Sequence, residues 1–220
     1  MTIQKQDLDR LMHECQSQLR GATNARIRGV MFNVIDEFLS DSNSWVEWVP
    51  FSIAANVQNY TLTPAKGGQI KRLGPVIDSN CVVYPATITD LQPPSVNIWL
   101  VWPQNQSISV NAITYKSIVL PNQHGDIPDA PVWLLPQYSR AIEDGIVGRI
   151  MMETGSTYSN PQAGAVKVKS FRDKIAMARA QAARGYLYGG QAWRFPRSFA
   201  TNSQRGGVST AFPQPTSWGI

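Results

Sequence analysis

The sequence predicts an α+β chain: an antiparallel bundle of four helices with an inserted antiparallel β-rich domain and an extended C-terminal arm. Three observations predict it. Apolar residues recur at three- and four-residue steps near the start of the chain and again before residue 190, as on one helix face. Between those segments lie short β-branched and aromatic runs punctuated by Gly, Pro and Asn, the pattern of antiparallel strands and tight turns. The last thirty residues follow neither period. The expected divisions are a helical hairpin over 1–44, a β-rich insertion over 45–120, helices completing the bundle over 121–190, and the arm over 191–220.

In the first helix Leu8, Leu11, Met12, Cys15 and Leu19 share a face. "GAT" interrupts the run, and Thr23 or Asn24 can cap a second helix, whose stripe is Ile27, Val30, Met31, Val34, Ile35 and Phe38. So short a connection makes the pair an antiparallel hairpin. The expected strands are "WVEWVPFSI", "VQNYTLT", "QIKRLGPVI", "CVVYPATI", "NIWLVWP" and "SISVNAITYKSIVL". Pro136 can start a third helix, marked by Tyr138, Ala141, Ile142, Ile146, Arg149 and Ile150, with Gly155 as its left-handed end. Asn160 caps a last helix from Pro161 to about Leu187, with Val168, Phe171, Ile175, Ala178 and Ala182 inward. Its other side carries Lys167, Lys169, Arg172, Lys174, Arg179 and Arg184.

Only 16% of the 220 residues are charged, against roughly 25% in an ordinary soluble domain. A surface rich in Asn, Gln, Ser and Thr suits a subunit whose faces meet neighbours. The net charge of +5 is unevenly spread. Residues 1–153 carry 11 basic and 14 acidic side chains, whereas residues 154–220 carry nine basic ones and a single acid, Asp173. No apolar run reaches the ~18 residues of a membrane span. The opening "MTIQKQDLDRLMHEC" lacks the apolar stretch of a secretory signal, so the chain is expected to begin life in a cytoplasm. Cys15 and Cys81 are read as buried thiols.

The sequence offers little to catalysis. It has no G-x-x-x-x-G-K-[ST] loop, H-E-x-x-H, C-x-x-C or G-x-S-x-G motif. His13 and His124 are its only histidines. His13 reads as a solvated helix residue, and His124, beside Asp126 and Asp129, as part of an Asp-stabilised turn. The carboxylate pairs Asp36–Glu37 and Glu143–Asp144 are adjacent on helices and so point in different directions. Neither an enzyme, nor a cofactor, nor a metal site is expected.

Two surfaces remain. The basic side of the last helix is in the first instance a solvated face. Its nearly acid-free context removes most of the partners four residues away that such a face normally carries, and the positive sign continues into Arg194, Arg197 and Arg205. It could meet phosphates without reading bases, weakening as salt rises. The arm holds Trp193, Phe195, Phe199, Phe212 and Trp218 with Pro196, Pro213 and Pro215. Segments that stay unfolded are poor in aromatics, so these rings are expected to bury against another polypeptide. Trp45 and Trp48, like Trp99 and Trp102, fall on opposite strand faces, which builds core and subunit contact rather than one flat sugar-binding stripe.

The order of helical hairpin, β-rich middle, "DIPDAPVWLLPQYSRAIEDGIVGRIM" and "TYSNPQAGAVKVKSFRDKIAMARAQ" resembles the head-to-tail adaptor (head-completion or connector) proteins of tailed bacteriophages. The resemblance spans most of residues 1–190 and lies in element order and local pattern; the long aromatic tail departs from it. It implies a structural virion protein of the neck, made in the host cytoplasm. Such a protein forms a homo-oligomeric ring, commonly of twelve copies, joining the portal protein to tail or neck proteins such as a tail tube or nozzle. Double-stranded DNA would pass through the lumen without sequence specificity, and no membrane is involved. The arm would dock on the portal or on a neighbouring subunit, and some of Lys167 to Arg184 would meet the DNA backbone. The competing expectations are another neck or tail component, such as a gatekeeper, tail-tube or receptor-binding module, and a basic DNA-binding protein unconnected with virions.

Overall fold

A computed structural model of the protein describes residues 3–65, 67–100, 107–120 and 127–184. Two helices come first, α1 (Lys5–Gln18) and α2 (Asn24–Ser42). Seven strands follow in the described residues: β1 (Val46–Ile53), β2 (Asn59–Leu62), β3 (Gln69–Asp78), β4 (Val83–Tyr84), β5 (Ala86–Gln92), β6 (Ser95–Leu100) and β7 (Ile108–Ser117). Two more helices close the described chain, α3 (Leu134–Met151) and α4 (Pro161–Ala183).

The helices form where their stripes and caps direct. Leu8, Leu11, Met12 and Cys15 of α1 are buried, and so are Ile27, Val30, Met31, Val34, Ile35 and Phe38 of α2. Thr23 caps α2, its side chain accepting from the Arg26 N–H. Asn160 caps α4 by accepting from the Ala163 N–H, with Pro161 in the first turn. The third helix departs from expectation at both ends. It starts at Leu134, two residues before Pro136, and its backbone kinks at Tyr138 (φ −127°, ψ 18°). It ends at Met151 on an αR cap, while Gly155 does hold a positive φ of 86° in the turn beyond.

The strands make two antiparallel sheets, one ordered β1–β7–β3–β4 and the other β2–β6–β5. Between them Val49, Ile53, Leu62, Ile70, Val76, Val96, Ile98, Leu100, Val110 and Ala112 form one apolar cluster. The helices gather a second, built around Phe38, Leu39, Ile142, Ile146 and Phe171. The stretch "CVVYPATI" is not one strand. It divides into β4 and β5, and Cys81 falls in the turn before β4 with a positive φ of 62°. The Asp78 carboxylate holds that turn, accepting from the N–H groups of Asn80 and Val82 at 2.8 Å each and from Tyr84 Oη at 2.9 Å. The Cys81 thiol is therefore exposed, against the expected burial, while Cys15 is buried.

The expected four-helix bundle carrying an inserted β domain is not what the chain forms. The described residues form four helices together with two antiparallel sheets, helices lying at both ends. The strand region is not an appended insert. Trp45 and Ile118, which flank the strands, are buried in the helical cluster. Ser117 Oγ, at the end of β7, donates to Asp36 Oδ1 of α2 at 2.7 Å. A switch of period from 3.6 to 2 marks a change of element, which is not by itself a change of domain. The alternation of β7 runs on past the apolar cluster into Thr114 and Lys116, both buried, and Ser117 next to them is buried too, so one strand serves both halves.

α3 and α4 approach closely at Gly148 and Gly164. A Cβ at Gly164 would lie 2.8 Å from the Gly148 carbonyl oxygen, a distance real side chains do not adopt.

Candidate functional site

The basic residues of α4 do not share one fate. At about 100° per residue, the buried Gly164, Phe171, Ile175 and Ala178 define an inward stripe. Lys167 and Lys174 border one edge of it and both turn onto Asp144 of α3, at 3.1 and 2.6 Å. Ser170 Oγ donates to the same carboxylate at 2.9 Å. Burial alone would raise the Asp144 pKa, but the bonds from Lys174, Lys167 and Ser170 outweigh it and hold the carboxyl below its usual range. The partners that α4 lacks in its own sequence thus come from α3. On the opposite edge, Arg179 Nε donates to the Asp41 carbonyl at 2.6 Å. Arg172 is exposed there and lies close enough to Arg149 to help burial lower that guanidinium's pKa. Lys169 and Arg184 are exposed on the outward side. For contact with an external anion the helix therefore offers Lys169, Arg172 and Arg184, with Lys167 and Lys174 engaged in holding α3 to α4.

The carboxylate pairs also separate, as adjacent helix residues must. Asp36 meets Ser117 and Lys71, the latter at 3.5 Å. Glu37 pairs with Arg149, and Glu143 accepts from Gln18. His13 is exposed on α1. His124 and Asp126 lie outside the described residues, whereas Asp129 accepts from the Gly68 N–H at 3.1 Å. That bond presses the carboxylate against Gly67 so closely that any Cβ there would overlap it. Among the described residues no group of three or more His, Cys, Asp or Glu side chains is gathered to hold a metal. No helix among them is long and apolar enough to cross a membrane.

Trp45 and Trp48 fall on opposite sides, as their spacing requires. Trp45 is buried, and Trp48 is 57% exposed. Trp48 belongs to a wider feature that its spacing alone does not reveal: an apolar patch on the outer face of the four-stranded sheet, which also carries Arg72 and Asn111. β1 and β7 pair with Val46 opposite Tyr115 and Trp48 opposite Ile113. The inward positions between them are Glu47, Val49, Ala112 and Thr114, all buried. Val83 of β4 joins the outer face through Ile77 and Asn111. Trp99, on the other sheet, is exposed, with its indole N–H donating to Gln58 at 3.0 Å. Trp102 and the whole expected docking arm (Trp193, Phe195, Pro196, Phe199, Phe212, Pro213, Pro215 and Trp218) lie outside the described residues.

Sequence reasoning also misses a buried ion pair where the strands meet the helices. Lys116 Nζ, with its side chain wholly buried, lies 2.8 Å from Glu47 Oε2 and 4.4 Å from the centre of the Trp45 ring. Alternation along β7 marks position 116 as inward, which is the available signal. No family model matches the chain, and no curated protein matches it.

Proposed function

We propose that the chain is a structural component of the neck of a tailed bacteriophage, a head-to-tail adaptor that assembles as a ring between portal and tail. Double-stranded DNA passes through the ring, and residues 191–220 dock on the portal or on a neighbouring copy. The observation that carries the proposal is the ring-rich sequence of 191–220, which holds Trp193, Phe195, Phe199, Phe212 and Trp218. The described residues gather two apolar clusters of their own. In this proposal the aromatic side chains of 191–220 find their burial on another chain.

The low charge content and the element order of helices, strands and helices support the same reading. Each fully buried ring contributes on the order of 1.5–3 kcal/mol, set against the cost of ordering the segment. Repeated around a ring, a modest gain per copy becomes a durable joint by avidity. Lys169, Arg172 and Arg184 are the residues assigned to the DNA backbone within this proposal. The test is cosedimentation of the full chain, and of a chain ending at Gly190, with a purified portal ring. Loss of binding on truncation is expected; undiminished binding refutes the proposal.

A further inference from the structure

We infer that the outer face of the four-stranded sheet is the seat for the aromatic C-terminal segment of a neighbouring copy; this rests on the docking-arm proposal and names the surface the arm takes. A sheet with one face on the core normally alternates apolar inward with polar outward. Here the inward face is filled by Val49, Ile53, Val110 and Ala112, yet a group of outward positions is apolar as well, beside the polar Arg72 and Asn111. Val46 is 40% exposed, Trp48 57% and Val83 59%, with Ile113 and Tyr115 half-buried among them. Contiguous apolar surface of this kind on a water-facing sheet marks a contact site.

The edges of the same sheet are poor templates for strand addition. β1 carries Pro50, which has no N–H to donate, and β4 is only two residues long. A partner is therefore accepted on the face, through side chains, and the chemistry it needs is rings on an extended backbone. "WRFPRSF", residues 193–199, supplies that chemistry. Trp193, Phe195 and Phe199 share one side of an extended segment and match the apolar face, and Arg197, on that same side, can lie over the Trp48 or Tyr115 ring.

Reach fits a neighbouring copy. Trp193 and Phe199 lie nine and fifteen residues beyond Arg184, a reach of about 30 to 50 Å when extended. A body of this size is roughly 40 Å across.

The test uses two full-length variants and sedimentation velocity over a range of concentrations. The sheet variant is Trp48→Glu, and the arm variant carries Trp193→Ala, Phe195→Ala and Phe199→Ala. Wild type is expected to self-associate, each variant alone to do so on the order of thirtyfold or more weakly, and their mixture to form a one-to-one complex. Val46→Lys, on the same face, replaces Trp48→Glu if circular dichroism shows that the latter has lost its fold. A sheet variant that associates like wild type, or a mixture that stays as two monomers while wild type associates, overturns the inference. So does a wild type that is monomeric at every concentration. Capture by a portal ring is scored separately: a sheet variant still captured through its arm leaves the adaptor proposal standing when the seat has failed.

Discussion

Lys116 Nζ of β7 sits 2.8 Å from Glu47 Oε2 of β1, with the lysine side chain fully buried and the glutamate 6% exposed. The two residues lie one step past the apolar cluster of the sheets, beside Trp45 of the helical cluster. A buried charge left alone costs far more than a matched pair returns. Lys116→Met alone is therefore expected to destabilise by about 3–5 kcal/mol. The double change Lys116→Met with Glu47→Leu should lie much closer to wild type. Urea unfolding of Lys116→Met, Glu47→Leu and the double variant measures this, and additive losses would show the pair to be uncoupled.

Asp144 gives a pH signature. Its folded pKa lies below the ordinary value of 3.8, so its contribution is fully present above that pH and fades as pH falls toward the folded pKa. Wild type should accordingly lose stability faster than Asp144→Asn as pH drops below 3.8. At neutral pH the variant should be the weaker by about 1–3 kcal/mol. Urea midpoints at several pH values give both slopes; parallel slopes would remove Asp144 from its role as clamp between α3 and α4.

The two thiols should separate chemically. Burial, helped by Glu143 and Glu14, pushes the Cys15 thiol up to about 12, while Cys81 is exposed in its turn. A thiol reagent under mildly alkaline conditions should modify Cys81 alone in the native chain and both cysteines in denaturant. Rapid native reaction at Cys15 would contradict its placement.

Two glycines should respond in opposite directions to alanine. Gly164→Ala drives a methyl into the Gly148 carbonyl and should cost about 1–3 kcal/mol. Gly29, within α2, has nothing within 4 Å of a built Cβ, so Gly29→Ala should stabilise by about 0.4–1 kcal/mol. Thermal unfolding of each variant decides the signs.

The division of labour on α4 predicts a split between binding and stability. Gln at Lys169, Arg172 and Arg184 should weaken non-specific binding to duplex DNA. It should also flatten the salt dependence, by about 0.9 in the log–log slope for each phosphate no longer neutralised. Gln at Lys167 and Lys174 should instead lower stability, since both are bonded to Asp144. Fluorescence anisotropy against salt, paired with urea unfolding, separates the two groups. A DNA slope that moves only with Lys167 and Lys174 would reverse the assignment.

What is legible in the sequence is local. Caps and stripes place Thr23, Asn160 and the buried face of α2 because those signals act within a few residues of themselves. Arrangements set at a distance are not legible. Nothing in "CVVYPATI" announces that Asp78 will bend the chain and leave Cys81 in water. The acid that neutralises Lys167 and Lys174 stands on another helix, so the sequence of α4 alone leaves its face looking unpartnered. The join of strands to helices depends on Ser117 meeting Asp36, 81 residues apart in sequence. Trp48 is readable as facing away from Trp45, but the apolar patch around it needs the register of four strands.

Electron microscopy of the purified full-length chain mixed with portal rings tests the central claim most directly. The account predicts a single added ring layer, coaxial with the portal, that is absent when the chain ends at Gly190. Portal rings left bare, with the protein remaining as dispersed monomers or stacking by itself into long tubes, would contradict it.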